Sequence, residues 1–135
     1  MKKLLCFVLG FWLITNIFHR PSLSPIEVEK RVVEYLGKDH PLVKVAPCES
    51  EYHQYNKYGD VYRGEVNPDD VGVFQINLYH HGKAARRLGY DVFTLKGNMA
   101  YAKYLYEHEG LKPWNSSSAC WKKKLGVFSG IASSR

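Results

Sequence analysis

Two carboxyl groups in this sequence have surroundings that push them toward opposite protonation states. Glu49 is approached by Val43, Val45, Ala46, Pro47 and Cys48. A carboxyl held against such an apolar run has its charged form disfavoured, so its pKa rises. Asp70 closes the turn Asn67-Pro68-Asp69-Asp70, where polar neighbours keep a carboxylate ionised. One protonated and one charged carboxyl are what cleavage of a glycosidic bond requires: an acid for the leaving oxygen and a carboxylate for the sugar cation. Such pairs also arise by chance among solvated surface acids, and Asp69 stands one position away as an alternative to Asp70. No Cys or His lies at zinc-ligand spacing, so neither a metal nor another cofactor is expected.

The elements that would position these groups are mostly helical. Ser24-Pro25 followed by Ile26-Glu27-Val28-Glu29 reads as a helix start, with Val28, Val32, Val33 and Leu36 at helical spacing and Gly37 as the stop. A second short helix is expected over 42–52, interrupted by Pro47. From Tyr58 to Asn77 turn sequences flank short alternating stretches, the mark of a small irregular β region. Lys83 to Leu88 reads as a short helix stopped by Gly89. Leu95 to Glu109 is the strongest helix, with Ala100, Tyr101, Tyr104 and Leu105 on its inner face and Gly110 closing it. Trp114 to Trp121 reads as a Ser-rich loop with aromatic flanks, and residues 126–135 as a loose tail. The expected fold class is α+β, mainly helical, with a small β insert.

Glu49-Ser50-Glu51-Tyr52 resembles the Glu-Ser-x-aromatic signature of the lysozyme superfamily. Asp70-Val71-Gly72-Val73-Phe74-Gln75-Ile76-Asn77 resembles the Asp-x-Gly-x-x-Gln-Ile-Asn segment of C-type lysozymes and the Gly-Leu-Met-Gln segment of soluble-lytic-transglycosylase-type domains. Asn98 through Gly110 is similar to the Asn-containing helix of those transglycosylases, and Trp114-Asn115 to their aromatic closing segment. The resemblance covers about residues 28–121.

The resemblance implies a lysozyme-like fold and cleavage of the β-1,4 bond between N-acetylmuramic acid and N-acetylglucosamine in peptidoglycan. Glu49 would protonate the glycosidic oxygen, and Asp70 would stabilise the sugar cation. Ser50 would shape the floor beside the acid. Gly72 would let the backbone pass close to the cleft. Gln75 and Asn77 would bind the sugar or hold the turn that carries Asp70. Tyr104 and Trp114 would line the cleft or pack in the core; His53, His80 and His81 are expected at the surface near it. Pro47 departs from the family's continuous helix and is expected to kink it, so that Glu49 starts a new turn. An acid matching Asp70 belongs to lysozymes rather than transglycosylases, while the Asn98 helix favours the latter, so the product is a muramidase's or a transglycosylase's. A non-catalytic wall-binding or inhibitory module on the same fold is the competing reading.

Met1-Lys2-Lys3 and the apolar stretch Leu4 to Phe18 are laid out like a secretory signal. The expected organisation is a signal peptide or signal anchor over 1–24, the catalytic domain over 25–125 and a tail over 126–135. The protein would be secreted or extracytoplasmic, or tethered to the membrane through its first segment. The full chain carries 19 basic and 13 acidic residues, net +6. Lys2, Lys3 and Arg20 lie in the export segment with no acid beside them, which leaves 16 basic against 13 acidic residues, about +3. That mild balance suits an anionic wall polymer, and no basic helix or Arg cluster points to nucleic acid. The resemblance implies peptidoglycan as the partner, and a monomer is expected. With Cys6 in the signal, Cys48 and Cys120 are left as a disulfide or two buried thiols.

Overall fold

The first helix of the computed structural model, which describes residues 23–127, is α1 (Pro25–Leu36), and it starts where the sequence puts its cap. The Ser24 side chain accepts the Glu27 amide, and the Glu27 carboxylate accepts the Ser24 amide and hydroxyl in return. Val28 and Val32 on its inner face are fully buried. Leu23 packs against the core as well. The stretch from Leu4 to Phe18 and the tail from Phe128 lie outside the described residues. Among those described, no helix is long and apolar enough to cross a membrane.

Helix α2 (Leu42–Glu49) runs through Pro47 and ends on Glu49. The expected break and fresh turn at Glu49 do not form. Pro47 has no N–H for the Val43 carbonyl one turn back, and the Tyr52 hydroxyl donates to that carbonyl instead, at 2.8 Å. The expected extension to Tyr52 is also corrected. Glu51 (φ 51°) and Tyr52 (φ 63°) adopt left-handed backbone and reverse the chain after Ser50. That conformation costs roughly 1 kcal/mol per residue outside glycine and persists only where the surroundings fix it, here through the Tyr52 hydroxyl.

The β region is small. Strands β1 (Asp70–Val71) and β2 (Ile76–Asn77) pair antiparallel, with Asp70 opposite Asn77 and Val71 opposite Ile76. Single bridges join Tyr55 to Val61 and Arg63 to Val71. Helix α3 (Leu78–Arg87) begins earlier than its sequence pattern suggests, because the Asn77 side chain accepts the His80 amide and caps it there. Helix α4 (Leu95–Glu109) has the expected bounds, with the Thr94 hydroxyl accepting the Gly97 amide as its cap. Its buried face is Leu95, Asn98, Met99, Tyr101, Ala102 and Leu105; Ala100 and Tyr104, expected inside, are only partly buried. The segment expected as a Ser-rich loop is helical, a 3₁₀ stretch over Lys112–Ser117 and then α5 (Ser118–Lys124).

The result is an α+β architecture, mainly helical, with one two-stranded sheet. Helix α1 packs on α2 and α4, and α2 also packs on α5. The core is gathered around α2 and α4, with Phe74, Trp114 and Trp121 closing it. Cys48 at the end of α2 and Cys120 in α5 stand at disulfide distance, Sγ–Sγ 2.02 Å, across 72 residues of sequence. A bridge over a loop of that length stabilises by about 4 kcal/mol in the chain-entropy model.

Candidate active site

Glu49 is the last residue of α2, and three features hold it. Cys48 beside it is tied to Cys120. Ser117, three residues before Cys120, donates its hydroxyl to Glu49 Oε1 at 2.5 Å. The 3₁₀ stretch carrying Ser117 packs on α2. The disulfide and the Ser117 contact therefore lie side by side and clamp the acid between α2 and α5. Burial is the main reason its pKa rises from an ordinary 4.5 to about 7; the Ser117 hydrogen bond works against that rise, and the negative charge of Asp70 adds to it. The Ser117 oxygen also lies 3.2 Å from the Trp114 carbonyl. Ser117 can thus donate to an ionised Glu49, or accept from a protonated one while donating to Trp114.

Across from Glu49 is the hairpin β1–β2, whose tip is fixed one backbone group at a time. Asn98, fully buried, donates from Nδ2 to the Val71 and Val92 carbonyls and accepts the Phe74 amide on Oδ1. Gln54, also fully buried, accepts the Val73 amide and donates to the Phe93 carbonyl. The Ser50 hydroxyl donates to the Val73 carbonyl at 2.8 Å, and Trp114 Nε1 to the Phe74 carbonyl at 2.9 Å. Gly72 makes this possible: at φ 71°, any Cβ there would collide with the Asn98 amide and Gln54 Oε1. Residues from four separate elements thus determine where the hairpin presents its side chains.

Those side chains form the far wall of a cleft of about 240 Å³. Glu49 lies on one side. Asp70, Gln75 and Asn77 lie on the other, His80 and His81 come from α3, and Pro113, Trp114 and Ser116 from the 3₁₀ stretch. Asn77 Nδ2 donates to Asp70 Oδ1 at 2.7 Å, so Asn77 fixes the carboxylate while its oxygen caps α3. Gln75, in left-handed backbone at φ 48°, donates from Nε2 to the Gly72 carbonyl. Among the described residues no group of His, Cys, Asp and Glu is arranged to hold a metal ion.

Comparison with known proteins finds no matching family model, curated protein or solved structure. The geometry therefore carries the site by itself. Glu49, Asp70, Gln75, Asn77 and Trp114 are brought to one cleft. Ser50 lies beneath it, buried and committed to the hairpin backbone. Tyr104 does not line it. Its ring stacks on Tyr101 at 5.7 Å and against His108 at 4.1 Å, in an aromatic cluster that reaches the cleft only through Tyr101 and His81. Trp114 edges the cleft but is only 2% exposed, so most of its surface serves the core. Asp69 is absent from the cleft; its carbonyl accepts the Leu78 amide. His53, expected near the cleft, instead rests on Tyr62.

Two residues of the site carried no signal of their own in the sequence. Ser117 is one serine in a run of three, and only the fold selects it as the partner of Glu49. Gln54 reads as an ordinary surface amide and is completely buried.

Proposed function

We propose that this chain is a lysozyme-like enzyme that cleaves the β-1,4 bond between N-acetylmuramic acid and N-acetylglucosamine in peptidoglycan, exported from the cell through its N-terminal segment. The observation that carries the proposal is Glu49. It lines an open cleft, is protonated up to about pH 7 by its burial, and faces a carboxylate held by a dedicated side chain. A protonated Glu49 donates its proton to the leaving glycosidic oxygen as the bond breaks. The Asp70 carboxylate, fixed by Asn77, lies on the cleft wall where positive charge builds on the sugar ring. Glu49, then ionised and hydrogen-bonded by Ser117, becomes the base for the second half of the reaction.

Two acceptors fit that second half. Water gives a reducing end. The muramic 6-hydroxyl gives a 1,6-anhydro end, one water lighter. Asp70 on the cleft wall supports the hydrolytic outcome. Asn98 supports neither, because in this fold its amide is spent on backbone groups of the hairpin and of Val92.

The test is digestion of purified peptidoglycan by the wild-type protein beside Glu49→Gln, with mass analysis of the released muropeptides. Release by the wild type alone is the expected result, and the end group then separates muramidase from transglycosylase. A folded wild type that binds the wall and releases nothing overturns the proposal in favour of a binding module.

A further inference from the structure

A second groove, of about 480 Å³, is larger than the cleft and lies on another face of α3. Leu78, Gly82 and Arg86 recur every four residues and so share that face, whereas His80 points to the cleft. The opposite wall is the loop Gly89–Phe93.

Two glycines shape the groove. Gly82, inside a helix where glycine weakens stability, would on gaining a Cβ meet only the Leu78 side chain, at 3.6 Å. The missing side chain is therefore open space on the groove floor. Gly97 lets α4 pack directly on the backbone of Asp91, where any Cβ would collide. The Asp91 carbonyl also accepts the Thr94 hydroxyl and amide. The loop wall is thus fixed before any ligand arrives.

The groove is apolar, with one cation and one carboxylate on its walls. Leu78 and Val92 supply aliphatic surface, and Phe93 offers a ring that is 44% exposed. Arg86 makes no ion pair among the described residues. Helix α3 carries Lys83, Arg86 and Arg87 and no acid at all. The acid of the groove, Asp91, has Oδ1 engaged by the Phe93 amide. Such a site takes a ligand with small apolar groups and a free carboxylate.

We propose that this groove seats the acidic stem peptide of peptidoglycan, its alanine methyls against Leu78, Val92 and Phe93 and a carboxylate on Arg86. The proposal rests on the glycan-cleaving reading of the cleft. The stem hangs from the muramic sugar, and five extended residues reach about 17 Å, enough to cross a helix about 10 Å wide from the cleft to the groove. The groove thereby makes the enzyme prefer wall that carries peptides over bare glycan.

The test is titration of the full chain with a synthetic stem pentapeptide, followed by backbone amide NMR, for wild type, Arg86→Ala and Gly82→Leu. Leucine suits a helix better than glycine, so Gly82→Leu fills the groove without unfolding α3. The expected result is shifts centred on Leu78, Gly82, Arg86 and residues 89–93, and an affinity about tenfold weaker in each variant. In parallel, the KM of Gly82→Leu for peptide-bearing wall rises relative to that for peptide-stripped glycan. Shifts that fall only on cleft residues, an affinity unchanged in both variants, or shifts that follow protein concentration alone each overturn the proposal. Peptide binding is read without catalysis, so it stands or falls separately from the Glu49→Gln digestion.

Discussion

At the scale of single residues, the site depends on the balance of forces on one proton. Burial raises the Glu49 pKa to about 7, Asp70 raises it further and Ser117 lowers it. In the proposed cleavage the protonated acid is the active form, so activity is expected to fall with a one-proton slope as pH rises through about 7. The two neighbours shift that limb in opposite directions. Ser117→Ala removes a hydrogen bond to the charged form and moves the limb to higher pH. Asp70→Asn removes a like charge and moves it to lower pH, with a loss of rate besides. The pH profile of kcat/KM for both variants checks this. A common direction of shift would mean that the causes are assigned wrongly.

At the scale of elements, the hairpin is positioned by side chains more than by its own strands, each only two residues long. Asn98 makes three hydrogen bonds to backbone groups around it. Asn98→Ala leaves those groups buried and unpaired, a loss on the order of 3–5 kcal/mol that denaturant unfolding will measure. The Cys48–Cys120 pair acts on the other wall. Cys48→Ser with Cys120→Ser costs about 4 kcal/mol of stability in the chain-entropy model. It also frees α5 from the end of α2, so the variant loses activity at temperatures where it is still folded. Full activity in that folded variant would show that α2 and α5 hold Glu49 and Ser117 together without the bridge.

At the scale of the whole molecule, keeping Glu49 protonated near neutrality weakens the fold above acid pH. A carboxyl with a raised pKa binds its proton more tightly when folded than when unfolded. Its contribution is therefore most favourable below an ordinary 4.5 and is lost as pH climbs to about 7. The loss is on the order of 3 kcal/mol at most. Glu49→Gln escapes it. The stability of Glu49→Gln relative to wild type grows between about pH 4.5 and pH 7 and is level above that, as thermal unfolding across pH will show. A stability difference independent of pH would mean that Glu49 is not buried as described.

Local patterns were legible in the sequence wherever a backbone rule acts within one turn. The Ser24 cap, the bounds of α4 and the turn chemistry of the β region all follow from nearest neighbours. The apolar approach to Glu49 likewise signalled its shifted proton affinity. Errors arose where a distant partner changed the local rule. Pro47 should have broken α2, but the Tyr52 hydroxyl takes the orphaned Val43 carbonyl. The early start of α3 is a different case, because the Asn77 cap on the His80 amide acts within one turn and is a local signal that the Lys83–Leu88 pattern does not contain. Tyr104, matched to the cleft by its place in the α4 motif, turns instead into an aromatic cluster. The sequence by itself determined which residue types were present and which helices could form, because those depend on neighbours along the chain. Only the tertiary structure decided that Ser117 meets Glu49 and that Gln54 and Asn98 hold the hairpin, since those contacts join residues 68, 19 and 24 positions apart.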